Sequence, residues 1–137
     1  MKLVLDTSAY VGFKLGHPQL VDYLSQSDTI YASPVMIAEL VFGFRNGTRF
    51  EQNMEDLNLF LSHEAVEKIA IGEVTADRYS RIAAQLRQQG TPIPSNDIWL
   101  AAQTMEFGAE LVTMDKHFEK VAGLIFRIFS SNKRQKT

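Results

Sequence analysis

Cysteine is absent from all 137 residues of this chain. The absence excludes disulfide bridges and metal sites built on thiolates, because both need a cysteine sulfur. A chain without cysteine suits a reducing compartment, so we expect the protein to act in the cytoplasm. Long hydrophobic runs are absent as well, and the apolar N-terminal stretch turns acidic at Asp6. We therefore expect neither a membrane span nor a signal peptide.

The sequence also has no excess of positive charge. Its net charge is −2 and its isoelectric point is near 5.9, which excludes the strongly basic field of many nucleic-acid binders. Lys133, Arg134 and Lys136 lie in the terminal stretch 130–137, which contains no acid. Without these three, 11 of the 14 basic residues stand against 16 acidic ones, a net charge of −5. We expect this polar basic tail to be disordered, with contact to phosphates as the alternative.

Apolar periods of two and of about 3.6 residues alternate along the chain, which predicts strands separated by helices. Strands are predicted at 2–5, 29–32, 65–71, 110–113 and 124–129. Helices are predicted at 18–25, 34–45, 50–62, 73–89 and 97–107, with 8–16 as a lead-in to the first and a helical turn at 116–120. No repeat or linker divides residues 1–129. This order is typical of one three-layer α/β domain, with a mostly parallel sheet flanked by helices.

Three aspartates occupy positions where ligand chemistry gathers in such a fold. Asp6 ends the first strand, Asp115 follows the strand at 110–113, and Asp97 opens the helix before that strand. The carboxyl ends of parallel strands meet at one edge, where open α/β sheets bind their ligands. Each acid also has a purely structural interpretation. Asp6 and Asp115 fit helix or turn caps, and Asp97 fits the first turn of a helix capped by Ser95.

A fourth acid, Glu39, lies within the apolar helix at 34–45. A helix that is apolar nearly all round is typically buried, and a buried carboxylate is costly unless it is paired or neutralised. The residues three and four positions away include no basic one. We therefore expect Glu39 to be buried and to find its partner elsewhere in the fold, with a bound cation as the simplest candidate.

Converging carboxylates repel one another, and their pKa values rise unless a cation lies among them. Ligand sets made only of oxygen favour Mg²⁺ or Mn²⁺ over zinc. The predicted metal ligands and catalytic residues are the four acids Asp6, Glu39, Asp97 and Asp115. The histidines are scattered without ligand spacing, and we expect them to be surface or core residues. They are His17, His63 and His117.

Four segments carry a resemblance to a known family. They are LDTS at Asp6, AELVFG at Glu39, SNDIWLAA at Asp97 and LVTMDKHFEKVAGL at Asp115. In order and spacing, over nearly the whole chain, the sequence resembles PIN-domain ribonucleases, specifically the VapC-type toxins of bacterial toxin–antitoxin pairs. The resemblance implies an endoribonuclease that depends on Mg²⁺ or Mn²⁺ and cleaves single-stranded or looped RNA. It also implies a homodimer that a cognate antitoxin holds inactive.

The resemblance assigns roles to individual residues as well. It implies that Asp6 and Asp97 ligate the metal directly, and that Glu39 and Asp115 complete the cluster. It further implies that two neighbouring hydroxyl groups orient ligands or water. These hydroxyls belong to Thr7 and Thr113.

Two alternatives remain open at this stage. One is a catalytically inactive PIN-like interaction module, which would keep the fold without the chemistry. The other is a Mg²⁺-binding signalling receiver domain, which presents an acidic pair after the first strand and a lysine after a late one. This chain has Asp6 alone and Asp115 in place of the lysine.

Two surfaces are predicted beside the acids. Candidates for phosphate contacts are the tail and the basic residues Lys14, Arg45, Arg49 and Lys116, with a solvated surface charge as the alternative for each. The helices at 34–45 and 50–62 carry more apolar side chains than one side of a short hairpin can bury. We expect some of them to form a groove for an amphipathic antitoxin segment, with packing on the sheet or on a second copy as the alternative. These side chains are Met36, Phe42, Phe44, Met54, Leu57, Phe60 and Leu61.

Overall fold

The computed structural model describes residues 1–130, so all but the first residue of the predicted basic tail lies outside the described residues. Within them, short strands alternate with helices. The elements are β1 (Lys2–Leu5), α1 (Thr7–Lys14), α2 (Pro18–Ser25), β2 (Thr29–Ala32), α3 (Pro34–Arg45), α4 (Phe50–Leu61), β3 (Val66–Lys68), α5 (Glu73–Gln89), α6 (Ser95–Glu106), β4 (Glu110–Thr113), a 3₁₀ turn (Lys116–Lys120) and β5 (Phe126–Ile128).

The strands form one parallel sheet in the order β3-β2-β1-β4-β5. Every connection between neighbours is therefore a crossover, and the helices cover both faces of the sheet. The predicted three-layer α/β fold is confirmed. The order also differs from the 2-1-3-4-5 arrangement of receiver-type domains, which argues against that alternative.

The core has two halves, one on each face of the sheet. Leu3 and Leu5 of β1 point into the half covered by α1 to α4, and Val4 points into the half covered by α5 and α6. All three side chains are fully buried. A central parallel strand has no solvent face, which explains why β1 is a continuous apolar run rather than an alternating one.

Helix α1 was not predicted as a separate element, because the sequence pattern indicates residues 8–16 only as a lead-in to the helix at 18–25. Asp6 caps it, accepting a hydrogen bond from Ala9 N at 2.8 Å, and the helix ends before Gly16, whose φ is 80°. The aromatic and glycine residues of this stretch are weak helix formers. The helix is stabilised instead by tertiary packing of its buried residues, which include Tyr10.

Some predicted bounds also need correction. Ser95 is the first residue of α6 rather than its cap, because Pro94 occupies the cap position and makes no side-chain hydrogen bond. The two outer strands are shorter than predicted, since an edge strand ends where its single partner does. The other predicted elements agree with the structure to within two residues. No helix among residues 1–130 combines the length and the apolar character needed to cross a bilayer.

Candidate active site

Two of the predicted acids lie side by side at the carboxyl edge of the sheet. Asp6 follows β1 and Asp115 follows β4, and these two strands are paired neighbours. Their pairing continues past the strand ends, because Asp6 N donates to Val112 O at 3.2 Å. Topology alone therefore brings together two residues that are far apart in the sequence.

Asp6 is buried, with 5% of its surface exposed, and it accepts three hydrogen bonds. The donors are Ala9 N and Ser8 Oγ, both at 2.8 Å, and Thr113 Oγ1. Burial raises the pKa of Asp6, the three donors hold it down in part, and the negative charge of Asp115 raises it further. Asp6 is thus a helix cap, and its negative charge is disfavoured by burial and by the charge of Asp115.

Asp97 joins these two acids from the first turn of α6. Burial raises its pKa to about 6, His117 lowers it in part, and the charges of Asp6 and Asp115 raise it. The electrostatic effect of both aspartates on Asp97 means that the three carboxylates share one region. This convergence was predicted from the positions of Asp6 and Asp115 at strand ends and of Asp97 at the start of the helix before the later strand.

His117 also lies in this region, which the sequence analysis did not predict. Its Nδ1 is 3.2 Å from Asp97 Oδ2 and 3.1 Å from Asp115 Oδ2. Asp115 caps the 3₁₀ turn by accepting a hydrogen bond from His117 N at 3.0 Å. His117, expected only as a surface or core residue, is thus a partly exposed residue that lies against two of the predicted acids. Its position two residues after a capping aspartate was the available signal, because a tight turn brings such a side chain back toward the cap.

Glu39 is half-buried, so the expectation that it is buried is wrong. Helix α3 turns part of its apolar surface to solvent, and Phe42 is 68% exposed. Glu39 does find partners outside its own helix. Its carboxylate accepts hydrogen bonds from Thr7 Oγ1 and from Asn96 Nδ2, the latter at 3.0 Å.

These bonds connect Glu39 to the segments that carry the other acids. Thr7 follows Asp6 directly, and Asn96 precedes Asp97 directly. The family resemblance implied an orienting role for Thr7, whereas the role of Asn96, whose amide donates to the carboxylate of another helix, was not predicted. A side-chain direction of this kind becomes visible only when the helices are placed.

Two hydroxyl groups connect Asp6 to the segment that follows β4. Thr113 Oγ1 donates to Asp6 and accepts from Asp115 N at 2.9 Å. Ser8 Oγ donates to Asp6 and accepts from Met114 N at 2.9 Å. We call the four acids Asp6, Glu39, Asp97 and Asp115 together the acid edge.

The acid edge meets the chemical requirements of a hard divalent cation. Its donors are carboxylate oxygens, and burial and mutual repulsion already raise the pKa values of Asp6 and Asp97, so a cation would relieve an existing excess of negative charge. Within residues 1–130, no three acid or histidine side chains are close enough to form a ready-made metal site. The donor chemistry fits Mg²⁺ or Mn²⁺. In this structure the carboxylates accept hydrogen bonds from neighbouring hydroxyl, amide and backbone groups, and Asp97 and Asp115 lie against His117.

A cavity of about 1100 Å³ lies away from the acid edge, near the opposite ends of β2 and β3. Side chains of α1, α2 and α4 contribute to it, including Phe13 and Phe60, whose ring centroids are 5.7 Å apart. Besides His63, the titratable side chains that line it are one basic residue, Lys14, and three acidic residues. The carboxylates belong to Asp28, Asp56 and Glu64. The cavity is thus both apolar and acidic.

Comparison with known proteins identifies the family. The family model described as PIN domain matches residues 3–124. Ribonuclease VapC2 of Rickettsia felis is 31% identical over 130 residues, which cover 91% of this chain and 96% of that protein. Ribonuclease VapC1 of Haemophilus influenzae is 28% identical, over 90% of this chain and 95% of its own.

Solved structures agree with the sequence match. A chain of the crystal structure of VapBC2 from Rickettsia felis, bound to a DNA fragment from the promoter, superposes with a TM-score of 0.85. It is 29% identical, and the match covers 95% of this chain and all of that one. A chain of VapBC-1 from nontypeable Haemophilus influenzae gives a TM-score of 0.83 at 27% identity, over 93% of this chain and 98% of that one. This chain belongs to the PIN domain family and, within it, to the VapC ribonucleases.

Proposed function

We propose that this protein is a metal-dependent endoribonuclease that hydrolyses RNA phosphodiester bonds and acts as the toxin of a toxin–antitoxin pair. The observation that carries the proposal is the meeting of Asp6, Asp97 and Asp115 at one sheet edge, with the pKa values of the first two raised. Purely structural caps gain nothing from such mutual repulsion. The names of the relatives, Ribonuclease VapC1 and VapC2, support the same activity.

In this proposal Asp6 and Asp97 hold Mg²⁺ or Mn²⁺ directly, and Glu39 and Asp115 complete the ligand set. A bound divalent ion supplies positive charge that offsets the phosphate and makes a water molecule a better nucleophile. The attacking water would form a new P–O bond as the bond to the leaving oxygen breaks; Glu39 or Asp115 would accept the proton from the water, and the leaving oxygen would take up a proton from solvent.

Other side chains orient these groups. Thr113 and Ser8 direct the carboxylate of Asp6, because both donate hydrogen bonds to it. Thr7 and Asn96 do the same for Glu39. Donors that fix a ligand carboxylate typically matter for metal affinity as much as for its orientation.

The test is cleavage of an unstructured RNA by the purified protein with Mg²⁺, with EDTA, and as the variants Asp6→Asn and Asp97→Asn. We expect cleavage with Mg²⁺ only, and loss of cleavage in both variants without loss of the fold. Each variant should melt at the wild-type temperature or slightly above it, because one repelling charge is removed. Asp77→Asn, an exposed acid on α5, is the matched control and should cleave normally.

Two outcomes would contradict the proposal. Cleavage that persists in EDTA or in Asp97→Asn would separate the activity from the acid edge. A collapsed fold in either asparagine variant would make the acids structural. Millimolar Mn²⁺ should also raise the melting temperature of the wild type and not of Asp97→Asn, since an ion that binds only the folded state stabilises it.

We also propose a cognate antitoxin as the partner, with the cavity between α1, α2 and α4 as its docking place. The cavity is apolar with an excess of acidic residues, which fits an amphipathic segment with basic residues. The groove predicted from sequence therefore needs correction. Met36 and Leu57 are core residues, and Phe60 faces α1 by an edge-to-face contact with Tyr10 at 5.1 Å.

The structure suggests a better probe of this surface than Phe60. Leu59 lines the cavity and is 67% exposed, so Leu59→Asp should leave the fold intact. We expect the variant to lose antitoxin binding and to keep RNA cleavage. Antitoxin binding at wild-type affinity would remove this cavity from the proposal.

A homodimer is the last part of the proposal. Phe42 projects from α3 with most of its ring exposed, and an exposed aromatic residue on an apolar helix face is typical of an interface. Phe42→Glu should shift the protein from dimer to monomer in light scattering. A wild-type monomer at micromolar concentration would contradict it. An RNA-cleaving toxin of this kind would act in the cytoplasm.

A further inference from the structure

Helices α3 and α6 are joined by side-chain hydrogen bonds at two levels. At the acid edge, Asn96 of α6 donates to Glu39 of α3. Deeper in the core, Ser33 Oγ, at the cap of α3, donates to Gln103 Oε1 of α6. The first level belongs to the site described above. The second is buried at the end of β2, beside β1, the strand that Asp6 directly follows.

The deeper pair is fully buried, with 0% of Ser33 and of Gln103 exposed. Ser33 Oγ also accepts from Val35 N at 3.0 Å, and Gln103 Nε2 donates to Ala70 O at 3.3 Å. Gln103 therefore contacts the cap of α3 and the segment that follows β3. A fully bonded polar pair inside an apolar core fixes distance and direction, whereas apolar contacts can slide.

The two hydrogen-bonded pairs are separated by similar distances along the two helices. From Asn96 to Gln103 is seven residues along α6, about 10.5 Å, and from Ser33 to Glu39 is six residues along α3, about 9 Å. The order is reversed between the helices, so the two segments run antiparallel between the two pairs. The Ser33–Gln103 pair therefore helps to fix the position of Glu39 on α3 relative to Asp97 on α6.

We propose that Gln103 is a positioning residue of the acid edge, which acts through Ser33 to hold Glu39 at the correct distance from Asp97. The inference rests on the proposed metal-binding role of the acid edge and adds a residue whose side chain hydrogen-bonds to Ser33 and Ala70 and to none of the four acids. It also gives a reason for an amide at a fully buried position of α6, where an apolar side chain would otherwise pack.

The experiment measures Mn²⁺ binding to the metal-free protein by titration calorimetry, with melting temperature recorded in parallel. Gln103→Leu removes both hydrogen bonds at similar volume, and we expect a roughly tenfold loss of Mn²⁺ affinity. Thr104→Val is the matched control. Thr104 is equally buried on the same helix, but its hydroxyl donates only to Leu100 O of its own helix, at 2.8 Å. The control should lose some stability and keep wild-type Mn²⁺ affinity.

The proposal is overturned if Gln103→Leu binds Mn²⁺ as tightly as the wild type, or if both variants lose affinity equally. Should Gln103→Leu fail to fold, the same titration is made with Ser33→Ala and Ser33→Thr. Loss of affinity in the alanine variant and rescue by threonine, which keeps the hydroxyl, would support the positioning role, and equal affinities would overturn it. If Asp97→Asn binds Mn²⁺ as tightly as the wild type, the proposed metal site itself is contradicted. Unchanged Mn²⁺ affinity in Gln103→Leu alone contradicts only the positioning role of Gln103.

Discussion

Single side chains of the acid edge combine a structural and an electrostatic role. Asp6 caps α1 and Asp115 caps the 3₁₀ turn, each by accepting a backbone hydrogen bond. A cap position holds a carboxylate in a defined direction, because the accepted N–H groups are fixed by the helix. The structural interpretation of these acids and the catalytic one are therefore compatible, and choosing between them from sequence alone was unnecessary.

The raised pKa of Asp97 predicts an unusual pH dependence of stability. Its value of about 6 lies above the ordinary 3.8, so between these limits the folded protein binds a proton that the unfolded chain does not. The contribution of Asp97 to stability is therefore fully present below the lower value and is lost as the pH rises toward 6. In the metal-free protein, Asp97→Asn should be more stable than the wild type at pH 7.5, by on the order of 1–3 kcal/mol.

Urea unfolding at pH 7.5 and pH 5.0 tests this, with EDTA present throughout. The advantage of Asp97→Asn should shrink at pH 5.0, where the wild-type carboxyl group takes up its proton. Asp77→Asn, an exposed acid paired with Arg81, should show no such change. An advantage that stays constant between the two pH values would mean that Asp97 is not perturbed.

At the scale of elements, the helices with distinct local ends were predictable. Pro34 after Ser33 begins α3, and Gly90 in a left-handed conformation, with φ of 70°, ends α5. Helix α1 was not separated because its cap, Asp6, directly follows β1 and leaves no connecting turn, although Gly16 with φ of 80° lies just after its end. The exposure of Glu39 was also beyond prediction, since a helix that presents apolar residues to a partner has the same composition as a buried one.

Two glycines should respond to alanine in opposite directions. At Gly90 the positive φ disfavours any side chain, so Gly90→Ala should cost about 1 kcal/mol. Gly43 lies inside α3 with nothing within 4 Å of an added Cβ, so Gly43→Ala should gain about 0.5–1 kcal/mol through helix propensity. Thermal melts of both variants at low protein concentration provide the measurement. A shift of the same sign in both would contradict the assigned backbone conformations.

For the whole molecule, the acid edge is a product of topology. Its four acids come from separate segments, which are brought to one edge because β1 and β4 are paired and α3 contacts α6. The rule that parallel strands present their carboxyl ends at one edge predicted the aspartates. The same rule does not predict that His117 and Asn96 contact the acids. Those contacts depend on the side-chain direction of His117 within a turn and of Asn96 between two helices.

The charge of the whole molecule leads to the last prediction. With a net charge of −2, and −5 without the three basic residues of the tail, the protein offers RNA no general attraction, so phosphate contacts must be local. Arg45 lies six residues beyond Glu39 on α3, about 9 Å along the helix, and stacks on Phe50 at 4.7 Å. Arg49 precedes α4 across the same turn, and both arginines are exposed.

We expect Arg45→Ala with Arg49→Ala to weaken RNA binding and to reduce its salt dependence. Two lost phosphate contacts to a single strand should lower the slope of log K against log salt by about 1.4. Binding is measured in the Asp97→Asn background, where RNA stays intact, and Mn²⁺ affinity of the double variant with Asp97 restored should equal that of the wild type. The matched control, Arg78→Ala with Arg87→Ala, removes two exposed charges from α5. An unchanged slope, or the same reduction in the control, would show that RNA does not cross this end of α3 and that Arg45 and Arg49 are solvated surface charges.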